Sequence, residues 1–280
     1  DQRSEARPLN NYPPTVQEGI LLREVILALS GIEGMYVRVS AHDHEGHKVT
    51  RLHQLKLAID TDSADRGLGY QVELLLPICE SANRVRAFVK TYSRYEYGSV
   101  AHSVASTMKI MLKEFDLIIA QLEHLLAQQK LSLQRMVFLL QPTKITLRCI
   151  DHLISRISDR IGGCLLDRLH SGLLEQGDEK SRRIYEHLLK SATRPFIRML
   201  SQWLYEGILY DPHEEFFIRE EKTLAREALE EDFNAHYWQD RYKLKTENIP
   251  QVLSNEAQKI LITGKYLNVI RDCCPDMKST

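Results

Sequence analysis

One long amphipathic pattern, at residues 100–126, constrains the fold more than any other feature of the sequence. Apolar residues recur there at every third or fourth position, which is typical of one buried helical face. They are Val100, Val104, Met108, Leu112, Phe115, Ile118 or Ile119, Leu122, Leu125 and Leu126. About 30 residues correspond to roughly 45 Å of helix at 1.5 Å per residue. A helix of this length predicts an elongated bundle.

Helical patterns cover most of the remaining chain, so the predicted fold class is mainly α, with elongated, stacked helical bundles. Thr15 and Glu18 fit a capping box that would start the first helix, and Gly31 can end it. Pro77 predicts a kink or break in a later helix, and Pro142 predicts an interruption in another.

A small β-hairpin near the N-terminus is the expected exception to the helical pattern. Its strands are predicted at residues 36–39 and within 49–59, and it should lie against helices because an isolated two-stranded unit is marginal in water. Residues 1–14 are predicted to be a flexible lead-in and 275–280 a tail. Residues 15–274, between them, are predicted to form a helical-bundle domain. One possible division of this domain is into sub-bundles at 15–130 and 131–274.

Residues 195–217 predict a packed junction between two segments. Trp203 lies on the apolar stripe of a helix and is expected in the core, and Gly207 is placed to end that helix in the left-handed conformation. Phe216 and Phe217 then begin the next segment. The following residues, 214–232, contain eight acidic and three basic side chains and predict a solvated helix or a mobile connection.

Composition narrows the classes of function. The net charge of −1 provides no field that attracts nucleic acid or an anionic membrane, and no apolar run reaches the 18 or so residues of a membrane span. The five cysteines are odd in number, widely spread and without a CxxC pair, which favours free thiols. Phosphate-binding and nucleophile-elbow motifs are missing. We therefore expect neither an enzyme nor a cofactor.

Two groups of polar residues could be mistaken for chemical sites. His42, His44 and His47 resemble zinc ligands, but such a loop is more often a solvated turn, and their spacing is not that of HExxH. Asp151 and His152 are adjacent in sequence, but a catalytic triad is defined by geometry that a sequence does not contain. We interpret His152 as the polar edge of a helix.

Two candidate partner-binding surfaces remain. Tyr92, Tyr95 and Tyr97 lie at a turn between two helices, where exposed aromatic rings would suit an interface. Arg182 and Arg183 belong to the densest basic stretch, which also includes Lys180, Lys190, Arg194 and Arg198. That stretch is either a solvated helix face or a patch that meets an acidic surface, for example residues 214–232 of a neighbouring copy, and the solvated face is the more usual case.

Six stretches together resemble the γ-tubulin complex proteins, most closely their component 2 branch. They are LLREVILALSGIEGMYVRV (21–39), YEYGSVAHSVASTMK (95–109), IIAQLEHLLAQQKLSLQRM (118–136), WLYEGILYDPHEEFFI (203–218), YWQDRY (237–242) and KILITGKYLNVIRDC (259–273). Each is weak alone, but six in this order are specific.

The resemblance implies the N-terminal half of such a protein, a scaffold that associates side by side with other components, in particular component 3. It implies that γ-tubulin is held by a C-terminal half beyond this chain, and that the assembled ring nucleates microtubules at organising centres and spindle poles in the cytoplasm. Recruitment factors of those centres are further candidate partners. The expected contact comprises the N-terminal helix, the turn at 92–97 and the first part of the long helix.

A helical-bundle adaptor or vesicle-tethering subunit is the alternative function, because it would have the same helical composition and likewise no catalytic motif. The identity of the partner discriminates between the two. A scaffold of the first kind binds other γ-tubulin complex components, whereas a tether binds coiled-coil proteins or small GTPases.

Overall fold

The computed structural model of the protein describes residues 8–40, 56–59, 64–158, 160–222 and 235–273. The elements in chain order are α1 (Pro14–Ser30), β1 (Val37–Ser40), β2 (Lys56–Ile59), α2 (Arg66–Tyr92), α3 (Ser99–Ala127), α4 (Leu133–Ile157), α5 (Gly162–Glu175), α6 (Glu179–Ser201), β3 (Ile218–Glu220), α7 (Ala235–Arg241), β4 (Tyr242–Leu244) and α8 (Ala257–Cys273). The prediction of a mainly α fold is confirmed. In this part of the chain, no helix is long and apolar enough to cross a bilayer.

The long helix and the N-terminal hairpin are both present. α3 covers the predicted pattern with one extra residue at each end, and its predicted apolar positions include the buried Val104, Met108 and Phe115. β1 and β2 pair antiparallel, with Val37 opposite Ile59. A second antiparallel pair, β3 with β4, joins Ile218 to Leu244 and was not predicted.

The chain forms two compact units, each described here by itself. The first unit comprises the described residues within 1–91 and 106–158, and the second comprises those within 92–105 and 159–280.

In the first unit, buried carboxylates and amides connect segments that are distant in sequence. The Glu24 carboxylate accepts hydrogen bonds from the backbone N–H groups of Tyr36 and Val37 at 2.8 and 3.1 Å, which attaches the first hairpin to α1. Arg84 on α2 donates to both carboxylate oxygens of Asp151 on α4, at 2.6 and 2.5 Å. This side-chain hydrogen bond raises the pKa of Arg84 above its ordinary value, so the guanidinium group stays charged.

The predicted capping box at the start of α1 is wrong. The helix begins at Pro14, where a missing N–H is harmless because the first helical donors have no intrahelical acceptor. Glu18 instead accepts a hydrogen bond from the backbone N–H of Leu133 at 2.8 Å, at the first residue of α4. Gly31 does end α1 in the left-handed conformation, with φ +83°.

The predicted interruption at Pro142 is also wrong, because α4 continues through it, and α2 likewise continues through Pro77 without a break. Each proline removes one backbone hydrogen bond. The residues around them are nevertheless anchored in the core, for example Ile78 and Cys79 in α2 and Leu140 and Leu147 in α4. Burial on both sides of each proline therefore outweighs the local loss.

Cys79 is expected to be chemically protected in the folded protein. Cys79, Cys149 and Cys164 form no disulfide in the described chain, and burial raises the pKa of Cys79 to about 12. Because the thiolate is the reactive form, iodoacetamide at pH 8 should leave Cys79 unmodified in the native protein and should label it in urea. Peptide mass mapping measures this directly, and native labelling at the rate of a free cysteine would contradict the buried position.

Candidate partner-binding surface

The aromatic turn between α2 and α3 has one buried and two outward-facing tyrosines, all in the second unit. Tyr92 is buried, and its ring centroid lies 5.0 Å from that of Tyr97. Tyr95 is 67% exposed and stacks on His102 with ring centroids 4.2 Å apart. The buried ring therefore supports a surface that presents the other two.

A buried glutamate positions this turn relative to α3. Glu215, only 1% exposed, accepts hydrogen bonds from the backbone N–H and hydroxyl of Ser99, both at 2.6 Å, and from the N–H of Val100 at 2.9 Å. Gly98, at φ +98°, lies against the same carboxylate, where a Cβ would overlap it. Glu215 thus caps α3 and favours glycine at the end of the aromatic turn.

The segment that carries Glu215 corrects one prediction. Residues 214–232 were expected to be solvated or mobile, but Glu215, Phe216, Phe217 and Ile218 are buried in the core. Asp211 explains the turn, since its carboxylate accepts from the N–H groups of Glu215 and Phe216 at 3.0 and 2.7 Å. The packed junction was therefore predicted correctly, and residues 223–234 lie outside the described residues.

Three of the six motif stretches meet in one buried cluster of the second unit. Trp203 is fully buried, donates from Nε1 to the carbonyl of Ile260 at 2.8 Å, and lies edge-on to the ring of Tyr242. Gly264 faces the indole so closely that a Cβ would overlap it. The side chain of Asn268 donates to the carbonyls of Gly207 and Gly264 at 2.7 and 2.9 Å.

Gly207 confirms the predicted helix end, with φ +63° in the left-handed region. It follows one π-helical turn, Gln202–Glu206, that continues α6. Asn268, 61 residues further along the chain, binds the carbonyl of Gly207 and so connects this helix end to α8.

The basic stretch lies on α6, whose opposite face is buried through Tyr185, Leu188 and Phe196. Asp178 begins this helix by accepting from the N–H of Ser181 at 3.0 Å, and that hydrogen bond lowers the pKa of Asp178. Two hydrogen bonds connect α6 to the start of α3. Ser103 Oγ donates to the carbonyl of Ser191 at 2.8 Å, and Ser191 Oγ donates to that of Ser103 at 3.1 Å.

The two predicted arginines are exposed but paired within their own helix. Arg182 Nε lies 3.2 Å from Glu186, and Arg183 Nε lies 2.9 Å from Glu179. None of the described contacts of Tyr95 or Tyr97 involves either arginine, so the structure places these residues in one unit without joining them directly. The i,i+4 spacing of opposite charges was already visible in the sequence.

The candidate chemical sites have no geometric support in the described chain. Asp151 is engaged by Arg84 rather than by His152, which is exposed. The loop with His42, His44 and His47 lies outside the described residues. Among the residues that the structure describes, no three His, Cys, Asp or Glu side chains could together hold a metal ion.

The most informative site residue that sequence reasoning missed is Glu215. It lies in an acidic run, as solvated glutamates do, and its partners are 115 and 116 residues away. The only local signal was its position next to two phenylalanines.

Comparison with known proteins agrees with the motif resemblance. The family model described as "Gamma tubulin complex component N-terminal" matches residues 22–280. The chain is 33% identical to gamma-tubulin complex component 2 of Mus musculus over 96% of the chain and 29% of that protein. It is 35% identical to the Arabidopsis thaliana component 2 over 94% of the chain and 38% of that protein.

More distant relatives extend the comparison. The chain is 27% identical to the spindle pole body component alp4 of Schizosaccharomyces pombe over 92% of the chain and 38% of that protein. It is 24% identical to human gamma-tubulin complex component 3 over 95% of the chain and 29% of that protein. The chain thus spans about 30–40% of the length of these relatives. On the match over residues 22–280, the chain belongs to the gamma-tubulin complex component family, through its N-terminal domain.

Proposed function

We propose that this chain is a scaffold part that associates laterally with other γ-tubulin complex components, in particular a component 3-like one, to build a template for microtubule nucleation. The observation that carries the proposal is the match of nearly the whole chain to the family's N-terminal domain. The helical architecture supports it, since stacked helices can fix the spacing and angle of neighbours. A side-by-side contact in which two different surfaces meet generates a ring or a helix when it is repeated.

The proposed role is geometric and involves no catalysis or cofactor. We propose that residues 15–274 form the helical-bundle domain that makes the lateral contact. We assign the binding of γ-tubulin to parts of the relatives that this chain does not cover. The name of the alp4 relative, a spindle pole body component, supports action at microtubule organising centres and spindle poles in the cytoplasm. Recruitment factors of those centres are further proposed partners, whereas nucleic acid and membranes are not.

Lateral association is tested by mixing this chain with the matching N-terminal segment of human component 3. Size-exclusion chromatography with light scattering should show a 1:1 complex at micromolar concentration. A specific contact of standard size would remove about 800 Å² of surface from each partner. Two separate monomers at tens of micromolar would overturn the proposal. Binding instead to a coiled-coil tether or a small GTPase would support the adaptor function.

We propose that the lateral contact includes the aromatic turn, with Tyr95 and Tyr97 exposed and Tyr92 beneath them, and Arg182 and Arg183 on α6. The double variant Tyr95→Ala/Tyr97→Ala should weaken the complex with the component 3 segment about tenfold or more, because tyrosines are frequent binding hot spots. Isothermal titration calorimetry measures the change in Kd.

Tyr70→Ala is the matched control, since Tyr70 is 63% exposed but lies near the start of α2, outside the segments expected in the contact. It should leave the Kd unchanged. Far-UV circular dichroism should show that both variants remain folded. An unchanged Kd for the double variant would remove the aromatic turn from the contact.

A further inference from the structure

Charge is distributed unevenly along α6. Residues 179–186 contain two acidic side chains, Glu179 and Glu186, which pair with Arg183 and Arg182. Residues 187–201 contain three basic side chains and no acidic one. The net charge of the whole chain is −1, so the C-terminal part of α6 carries a local excess of positive charge.

The three cations form a stripe, here called the α6 cationic stripe, of Lys190, Arg194 and Arg198. They follow one another at intervals of four residues, about 6 Å along a helix. All three are exposed, and none of the three side chains forms a hydrogen bond or ion pair with the described part of the chain. Beside them, Ile197 is about half exposed.

This arrangement is unfavourable for the helix alone. Like charges four residues apart destabilise a helix slightly, whereas the first half of α6 avoids this with its own glutamates. An external partner with negative charge would turn that repulsion into attraction. Arginine guanidinium groups in particular match carboxylates, because their planar donors can bind both oxygens.

We infer that the α6 cationic stripe docks an acidic helical segment of the neighbouring component, an inference that rests on the proposed lateral association. Glutamates four residues apart on a partner helix would have the same 6 Å spacing, and Ile197 would add an apolar contact between the charges. A nucleic acid fits less well, since three cations release only about three counterions. A bilayer also fits less well, because Ile197 is a single apolar residue among the cations.

The decisive variant is Arg194→Glu/Arg198→Glu. Reversing both charges should raise the Kd for the component 3 segment at least tenfold at 150 mM salt, because like charges then face each other across the contact. The wild-type Kd should rise with salt concentration, and the Kd of the variant should rise less or fall. Lys144→Glu/Arg148→Glu is the matched control, with the same spacing and charge change on α4, which is not among the segments expected in the contact. Its Kd should stay within about twofold of the wild-type value.

The outcomes separate this inference from the function on which it rests. If wild type binds the component 3 segment and the α6 variant binds equally well, the stripe is not a docking site but lateral association stands. If wild type does not bind, the proposed function fails first, and this inference fails with it. Wild type that self-associates through the stripe in light scattering would make a second copy the occupant and overturn the inference.

Two further binding experiments test the other anionic partners, an anionic membrane and a nucleic acid. Wild type is mixed with phosphatidylcholine vesicles containing 30% phosphatidylserine and, separately, with a 20-base-pair DNA duplex. Binding of either probe that is stronger than binding of the component 3 segment and is lost in Arg194→Glu/Arg198→Glu would overturn the assignment to an acidic protein helix. Weaker or undetectable binding of both supports it.

Discussion

Trp203→Ala is expected to reduce the free energy of unfolding by about 3–5 kcal/mol, as is typical when a buried tryptophan is truncated. The indole is fully buried against Tyr242 and Gly264, and its Nε1 donates to the carbonyl of Ile260. The variant loses the packing and leaves that carbonyl without its donor. Urea denaturation followed by circular dichroism at 222 nm measures the loss, which is a large fraction of the 5–15 kcal/mol typical of a folded domain.

Tyr205→Ala is the control for this variant. Tyr205 lies in the same π-helical turn but is 81% exposed, so its removal should change the free energy of unfolding by no more than about 0.5 kcal/mol. If Trp203→Ala lowers the free energy of unfolding by no more than Tyr205→Ala does, the indole does not have the packing role assigned to it.

Gly264→Ala probes the same contact from the other side. A methyl group there overlaps the indole, and overpacking of this kind costs about 1–3 kcal/mol. In the Trp203→Ala background, the methyl group enters space vacated by the ring. The double variant should therefore be more stable than the sum of the single effects predicts, by about 0.5–3 kcal/mol.

Glu215→Ala is the second large effect, with an expected loss of about 2–4 kcal/mol. Its removal leaves three donors, on Ser99 and Val100, without their acceptor, and each buried unsatisfied group costs about 1–3 kcal/mol. Water can accept hydrogen bonds from some of these donors, so the expected loss of stability is smaller than the sum of three full penalties. The free energy of unfolding from urea denaturation is again the measurement.

Glu215→Gln and Glu96→Ala complete this test. Glutamine keeps the shape and one acceptor oxygen but places an amide donor beside the N–H groups. The free energy of unfolding of Glu215→Gln should therefore lie between those of the wild type and Glu215→Ala. Glu96 is an exposed acid in the same turn, and Glu96→Ala should change the free energy of unfolding by about 0.5 kcal/mol at most. Equal stability of Glu215→Ala and Glu96→Ala would contradict the capping role.

Local patterns predicted the features that depend on near neighbours in sequence. The apolar repeat predicted α3 to within one residue at each end, and Gly207 was placed correctly as the end of its helix. Pro142 misled the prediction, and α2 has no break at Pro77, because the core on both sides of each proline, which a local rule does not include, stabilises the continuous helix.

The candidate surface was predictable only in part. The turn position of Tyr95 and Tyr97 indicated exposure, which the structure confirms, and the pairing of Arg182 with Glu186 follows from their spacing. The partners of Glu215 and of Trp203 lie 115 and 57 residues away, respectively, and no pattern within a helix encodes such distances. The antiparallel pair of β3 and β4 was missed because each of its strands has only three residues.

The cap on α3 also has a consequence for the order of folding during synthesis. Ser99 leaves the ribosome more than 100 residues before Glu215, so the first turn of α3 must remain frayed, with its amides hydrated, until the DPHEEF segment emerges. Nascent chains halted before residue 211 should therefore exchange the amide protons of Ser99 and Val100 rapidly, whereas chains in which residues 211–218 have left the ribosome should protect them.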